Sequence, residues 1–341
     1  MSPFLLFSLV FCSQLMAAFN TPLPPPTYGD HVSILSIDGG GIRGIIPATV
    51  LIYLDNALKD ATTSLADYFD VISGTSTGGL MTLMLTAPNS SHQPLFTPSE
   101  VVEFYKKNGP KIFPSHLLTS CPKYDGDFLE QKTVELLGET RLSDTLTNVV
   151  IPTFDEKKIQ PVIFSNYKLK TESYLNAKLS DIGLGTSAAP TYLPNHAMAA
   201  VSEVIQEHNM ENKILLLSLG TGIPKPKDKL GNFWDDLCQA SWLKSHTAVF
   251  NEAMFSTDMT HYYLATIFPA LSPADNYLRI EEYNMDPSMK DMDDASKKNM
   301  DNLEEVGKGL LTQKVKRMNA DSRRCGPVYR GTTANCKTWI F

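Results

Sequence analysis

The apolar positions of this chain fall into two kinds of run. HVSILSID and, from Lys213, KILLLSLGTG are near-continuous apolar stretches, the pattern of strands covered on both faces. Asp70 to Ser73 predicts a second short strand, and NVVIPTFDEKKIQPVIFSN predicts two strands separated by a polar connection. Between them, helical spacing predicts helices over Ile45 to Leu58, Thr77 to Thr86, Phe128 to Leu137, Lys178 to Ala188, Asn251 to Phe268 and Asp293 to Met318. Thr97-Pro98-Ser99-Glu100 has the form of a capping box with proline at the first helical position, and its helix is expected to run to about Lys107. Strands alternating with helices predict an α/β fold with a mostly parallel sheet. No internal repeat or linker divides the chain, so one domain is expected over residues 30–318, after a Pro-rich lead-in at 19–29.

Two of the predicted strands end in glycine-rich turns. The first, SIDGGGIRG, has glycines at Gly39, Gly41 and Gly44 in G-x-G-x-x-G spacing. A dinucleotide site would need a second strand ending in an acidic residue about 20 positions on, and that region reads LDNALKDATTS, a helix tail and loop. The other chemical use of such a turn is to aim backbone N–H groups at an anion, including the oxyanion of an acyl-transfer intermediate. The second turn lies in VISGTSTGGLM, where Ser76 stands between Gly74 and Gly78. G-x-S-x-G between a strand and a helix is the arrangement of a nucleophile elbow. A serine hydroxyl is a weak nucleophile alone, so a base must take its proton. Ligands in parallel sheets collect at the carboxyl ends of the strands, where both turns lie.

DGGGIRG, GTSTGG, KLSDIGLGTSAAPTYLP and ENKILLLSLGTG, in that order, resemble the plant patatins, lipid acyl hydrolases and storage proteins of the patatin-like phospholipase family. The resemblance runs from about Pro24 to at least Lys308. It implies a three-layer α/β/α fold with a Ser–Asp dyad, no catalytic histidine, and no metal or cofactor. It makes Ser76 the nucleophile and Gly39, Gly40, Gly41 and Arg43 the oxyanion loop, with Gly44, Gly74 and Gly78 completing the two motifs. The substrate it implies is a glycerolipid or phospholipid at a membrane or micelle surface.

The chain departs from that pattern where the base is due. In the family a D-G-[GA] motif follows the TSAAPTYLP stretch, whereas here Pro194 is followed by Asn195 and His196 and then by AMAAV, which opens a helix. Between Ala188 and Glu203 there is no Asp or Glu, so one strand-turn segment near residue 196 is expected to be missing. Asp-Gly recurs at Asp38-Gly39, within the oxyanion motif, and at Asp125-Gly126, which reads as a helix boundary. His196 falls at the junction, while His208, His246 and His261 read as surface residues on polar or helical stretches. The general base is therefore unassigned. Little or no hydrolysis is expected from a chain without it, which leaves a non-catalytic storage or lipid-binding protein as the alternative.

Composition narrows the partners. The 341 residues are 43% hydrophobic and 20% charged, enough for a sizeable core. The net charge of −7, with no basic run interleaved with aromatics, argues against a nucleic-acid partner. The five cysteines match no zinc or CxxC spacing and form no disulfide framework, with Cys325 and Cys336 the one candidate pair in a secreted protein. PFLLFSLVFC, followed by Ala17-Ala18, predicts a secretory signal within residues 1–18, too short to span a membrane. With that signal the protein goes to the secretory route or vacuole; without it, the protein is cytoplasmic. Residues 319–341 have no helical period and are expected to form an atypical tail.

Overall fold

In a computed structural model, residues 31–58, 63–114, 126–155, 157–188, 196–208, 214–224, 257–271, 276–313, 316–319 and 324–327 are described. The lead-in and the predicted signal, with Cys12, lie outside them, as do Cys121, Asp125, residues 189–195, Cys238, His246 and Cys336.

Six strands form one sheet: β1 (Val32–Ile37), β2 (Val71–Gly74), β3 (Asn148–Asp155), β4 (Gln160–Ser165), β5 (Ile214–Leu219) and β6 (Tyr277–Ile280), in the order β4-β3-β2-β1-β5-β6. Every pairing is parallel except β3 with β4. The exception follows from the sequence, because the connection between those two strands is too short for a parallel crossover. β1 is buried along its whole length at the centre of the sheet.

Helices cover both faces. They are α1 (Ile45–Leu58), α2 (Leu65–Tyr68), α3 (Thr77–Thr86), α4 (Pro98–Ile112), α5 (Asp127–Leu137), α6 (Leu179–Ser187), α7 (His196–His208), α8 (Thr257–Leu271) and α9 (Lys297–Leu310). α1 packs with α4 and α9 on one face, over a core that includes Leu35, Ile37, Ile72 and Leu219. α7 lies against β1, β2 and β3 on the other, with α8 beside it. The arrangement is the expected α/β fold, a mixed sheet between helical layers. Among the described residues no helix is long and apolar enough to cross a membrane.

Several elements differ from expectation. α4 continues past Lys107 to Ile112 with Pro110 in its last turn. Gly109 there fits against Ile42 and Ala295, so tertiary contact carries the helix through a Gly-Pro pair that local preference would stop at. The last predicted helix ends at Leu310, and Lys316–Asn319 (β7) pairs antiparallel with Arg324–Pro327 (β8). The chain around the start of the tail therefore forms a strand pair. β6, only four residues long, is too short to show a period in the sequence. The helix expected over Asn251 to Phe268 is described from Thr257 and reaches Leu271.

Candidate active site

Ser76 stands between the end of β2 and the start of α3 with φ 55 and ψ −124. Only two other non-glycine residues among those described, His92 and Ile159, have positive φ. A side chain held there costs on the order of 1–3 kcal/mol, which surrounding packing must offset. Gly78 lets the elbow cross the end of β1, since a Cβ on it would lie 2.0 Å from the Ile37 carbonyl oxygen. A Cβ on Gly74 would in turn lie 2.4 Å from the Gly78 carbonyl. The Ser76 N–H donates to Thr186 Oγ1 at 3.0 Å, and the Thr186 hydroxyl donates to the Pro152 carbonyl at 3.0 Å, tying the elbow to α6 and β3. Thr77 is hydrogen-bonded through its hydroxyl to Tyr105, whose own hydroxyl is pushed well above its ordinary pKa by burial and donates to the Thr77 carbonyl at 3.0 Å. Ser76 itself is half-exposed. No hydrogen bond reaches its Oγ among the described residues.

The triple-glycine turn lies directly against this elbow. A Cβ on Gly39 would sit 3.2 Å from the Ser76 Cβ and 3.1 Å from the Thr75 carbonyl oxygen. Gly41 has φ +59 and would drive a side chain to 2.1 Å from the Met292 carbonyl oxygen, so glycine is required there on both counts. That same carbonyl accepts from the Ile42 N–H at 2.8 Å. Gly40 abuts Thr221, whose hydroxyl donates to the Gly39 carbonyl at 2.8 Å, and Gly44 abuts the Thr77 side chain. Among the described residues, no hydrogen bond occupies the amides of Gly39, Gly40 or Gly41. Arg43 is buried, and its Nη1 donates to the Gly222 carbonyl at 3.2 Å, which braces the turn after β5.

Behind the turn is a buried cluster of charge. Asp38 Oδ2 is 2.5 Å from Arg279 Nη2, which is also 2.6 Å from Glu281 Oε2. Glu281 in turn accepts from the Gly222 N–H at 2.7 Å. The other Asp38 oxygen, Oδ1, faces two imidazoles, with His196 Nε2 at 3.3 Å and His261 Nε2 at 3.6 Å. These are charge-to-dipole approaches rather than hydrogen bonds, and Oδ1 has no hydrogen-bond partner. Burial pushes the Asp38 carboxyl up, but Arg279 and the two histidines outweigh it and hold the group well below the usual carboxylate range. Burial, reinforced by Arg279, pushes His261 down to about 4 despite Asp38 beside it. Its Nδ1 pairs with the Tyr277 hydroxyl at 2.6 Å.

This cluster corrects the sequence reading of His261, which is buried and not on the surface. Histidine on an amphipathic helix carries no signal of which face it takes until the partner is known. Arg279, in the four-residue strand β6, and Glu281, just after it, carry no periodic signal in the sequence. Asp125, read as a helix boundary, lies outside the described residues, whereas His196 and Asp38 are brought together. Among the described residues no group of three or more His, Cys, Asp or Glu is arranged to hold a metal ion.

Fold and elbow together define a class, an α/β protein that presents a serine at the carboxyl end of its sheet beside a glycine-rich turn. Comparison with known proteins narrows this class. The chain belongs to the patatin-like phospholipase family, whose model matches residues 35–210. It is 39% identical to Patatin-like protein 1 of Arabidopsis thaliana over 368 aligned positions, covering 91% of this chain and 88% of that protein. Patatin-like protein 2 of the same plant is 42% identical, covering 89% and 88%. Patatin-17 of Solanum cardiophyllum is 41% identical, covering 86% and 87%. The first alignment is longer than the chain's own 341 residues, so it contains positions that this chain skips.

Proposed function

We propose that this protein is a lipid acyl hydrolase of the phospholipase A or galactolipase type, acting on acyl esters of glycerolipids or phospholipids. Ser76 attacks the acyl carbonyl, and the amides of Gly39, Gly40 and Gly41 receive the oxyanion. The observation that carries the reading is the elbow itself, with Ser76 at φ 55, its hydroxyl uncommitted, packed against a turn whose N–H groups are free among the described residues. Backbone donors fixed before the reaction need no reorganisation when charge develops.

Turnover is expected to be slow. The carboxylate of the family's dyad is due after Pro194, and no acidic residue stands between Ala188 and Glu203. General-base help is worth about 10²- to 10⁴-fold, and what survives without it comes from the oxyanion donors and binding. A second reading, a non-catalytic storage or lipid-binding homologue, is favoured by the absence of any acidic residue between Ala188 and Glu203.

The deciding experiment is hydrolysis of a medium-chain p-nitrophenyl ester by protein verified as folded by circular dichroism, beside Ser76→Ala. We expect a slow rate that falls at least about tenfold in the variant. Equal rates for the two proteins would sink the hydrolase reading and leave the storage reading standing.

A further inference from the structure

We propose that the β3–β4 hairpin docks this protein on the surface of a zwitterionic lipid bilayer with Ser76 turned to the lipid, an inference that rests on the acyl-hydrolase reading. β3 runs parallel to β2, so its far end lies at the end of the sheet where Ser76 stands. The register sets Ser73 of β2 beside Val150 of β3. β2 stops one residue later at Gly74, whereas β3 runs on to Asp155, a projection of roughly 13 Å at about 3.3 Å per residue. The stem of this projection is fixed to the nucleophile, because the Thr186 hydroxyl donates to the Pro152 carbonyl and accepts from the Ser76 N–H.

At its tip the hairpin exposes hydrocarbon. Ile159 is 79% exposed and has φ 52. A β-branched side chain at positive φ is a conformational outlier, and such outliers persist where the surroundings hold them, most often at sites that bind. Here the Asp155 carboxylate holds the turn, accepting from the Lys157 and Lys158 N–H groups at 3.0 and 3.1 Å. Just below the tip, Phe154 pairs across the hairpin with Pro161, and neither is buried. On the other flank of Ser76, the Met292 backbone lies against Gly41 and the residue is 43% exposed. The strand order β3-β2-β1 puts the serine between these two apolar points. Hydrocarbon held out in water on both sides of the nucleophile fits a surface that is itself apolar beneath its headgroups.

Charge decides which lipid. The tip sequence DEKKIQ balances two acids with two lysines, and KDMDD around Met292 has three acids to one lysine. The whole chain carries a net charge of −7. An anionic leaflet attracts polybasic segments and repels a chain of this charge. The outward cations of a zwitterionic headgroup suit the acids beside Met292 and leave Ile159 to enter below them.

The test is flotation of the full chain with phosphatidylcholine vesicles, beside hydrolysis of a water-soluble p-nitrophenyl ester. The parent and Ser76→Ala are expected to float alike, since docking needs no turnover. Ile159→Gly removes the side chain and takes φ 52 without strain. It is expected to bind at least about tenfold more weakly, with Tm not lowered and ester hydrolysis unchanged. Should it unfold, Ile159→Asn, which also tolerates positive φ, takes its place. Exchanging part of the phosphatidylcholine for phosphatidylglycerol is expected to weaken binding. A parent that does not float, an Ile159→Gly variant that floats as well as the parent, or stronger binding to the anionic vesicles overturns the proposal. A parental dimer that Ile159→Gly dissociates would assign the tip to a second copy of the chain and overturn it too. Equal ester hydrolysis by the parent and Ser76→Ala, with flotation intact, would sink the hydrolase reading and leave the docking surface standing.

Discussion

Two neighbouring rows of side chains cross the same sheet and lie on opposite faces. Leu278, Leu217, Leu35, Ile72 and Val149 stand in register across five strands, and all are hydrocarbon. One residue further along lie Arg279, Ser218, Ser36, Ser73, Val150 and Ser165, polar in five of six places. The first row meets α1 and its neighbours, and burial alone accounts for it, at roughly 25 cal/mol per Å² of apolar surface. The second lies on the face of α7 and is less well satisfied. Ser36 Oγ, Asp38 Oδ1, both His196 nitrogens and Arg279 Nε have no hydrogen-bond partner. Unsatisfied buried polar atoms cost free energy. The first row thus stabilises by burial alone, while the second keeps buried polar groups at a cost in stability.

The sharpest way to break the comparison is Arg279→Ala. It leaves the Asp38 and Glu281 carboxylates buried without their cation, and losing one partner of such a cluster costs about 3–5 kcal/mol. Urea unfolding should register the loss, and a change below about 1 kcal/mol would mean that water reaches the cluster freely.

Acid is the next largest lever. His261 binds its proton less readily in the folded chain, near pH 4, than its ordinary value of 6.5. Its contribution is complete above pH 6.5 and is lost as pH falls toward 4, by up to about 3 kcal/mol. Asp38, whose carboxyl is held low, adds to the loss only in stronger acid. Unfolding measured at pH 7 and 4.5 should show the fall, and His261→Gln should flatten it. An unchanged slope in the variant would assign the acid sensitivity elsewhere.

The smallest effect should have the opposite sign. Ser36→Ala removes a buried hydroxyl that has no partner, so the variant is expected to gain up to about 1 kcal/mol. Thermal unfolding would read the gain as a rise in Tm, and a drop would show that the hydroxyl is engaged.

What was legible in the sequence was local. α1 and α3 occupy the spans expected for them, Ile45 to Leu58 and Thr77 to Thr86, because each begins at a glycine-rich turn that fixes its start. Ser76 and the triple-glycine turn were legible because a strained elbow and a positive φ demand particular residues whatever surrounds them. The end of α4 was not, since packing of Gly109 against Ile42 and Ala295 outweighs the local Gly-Pro signal. Nor was β6, where four residues carry no period.

The chain's order of residues determined by itself that a serine and three glycines would close two strand-to-helix turns, because backbone conformation there is a property of a few adjacent residues. Only the tertiary structure decided which charges meet behind those turns. Asp38 and Arg279 are 241 residues apart in the chain, and their contact depends on β5 aligning Ser218 with both Ser36 and Arg279. The face taken by His196 and His261 depends likewise on helices packing against a completed sheet. Sheet register and helix docking are set by the burial of apolar surface over the whole domain, so no short stretch of sequence encodes them.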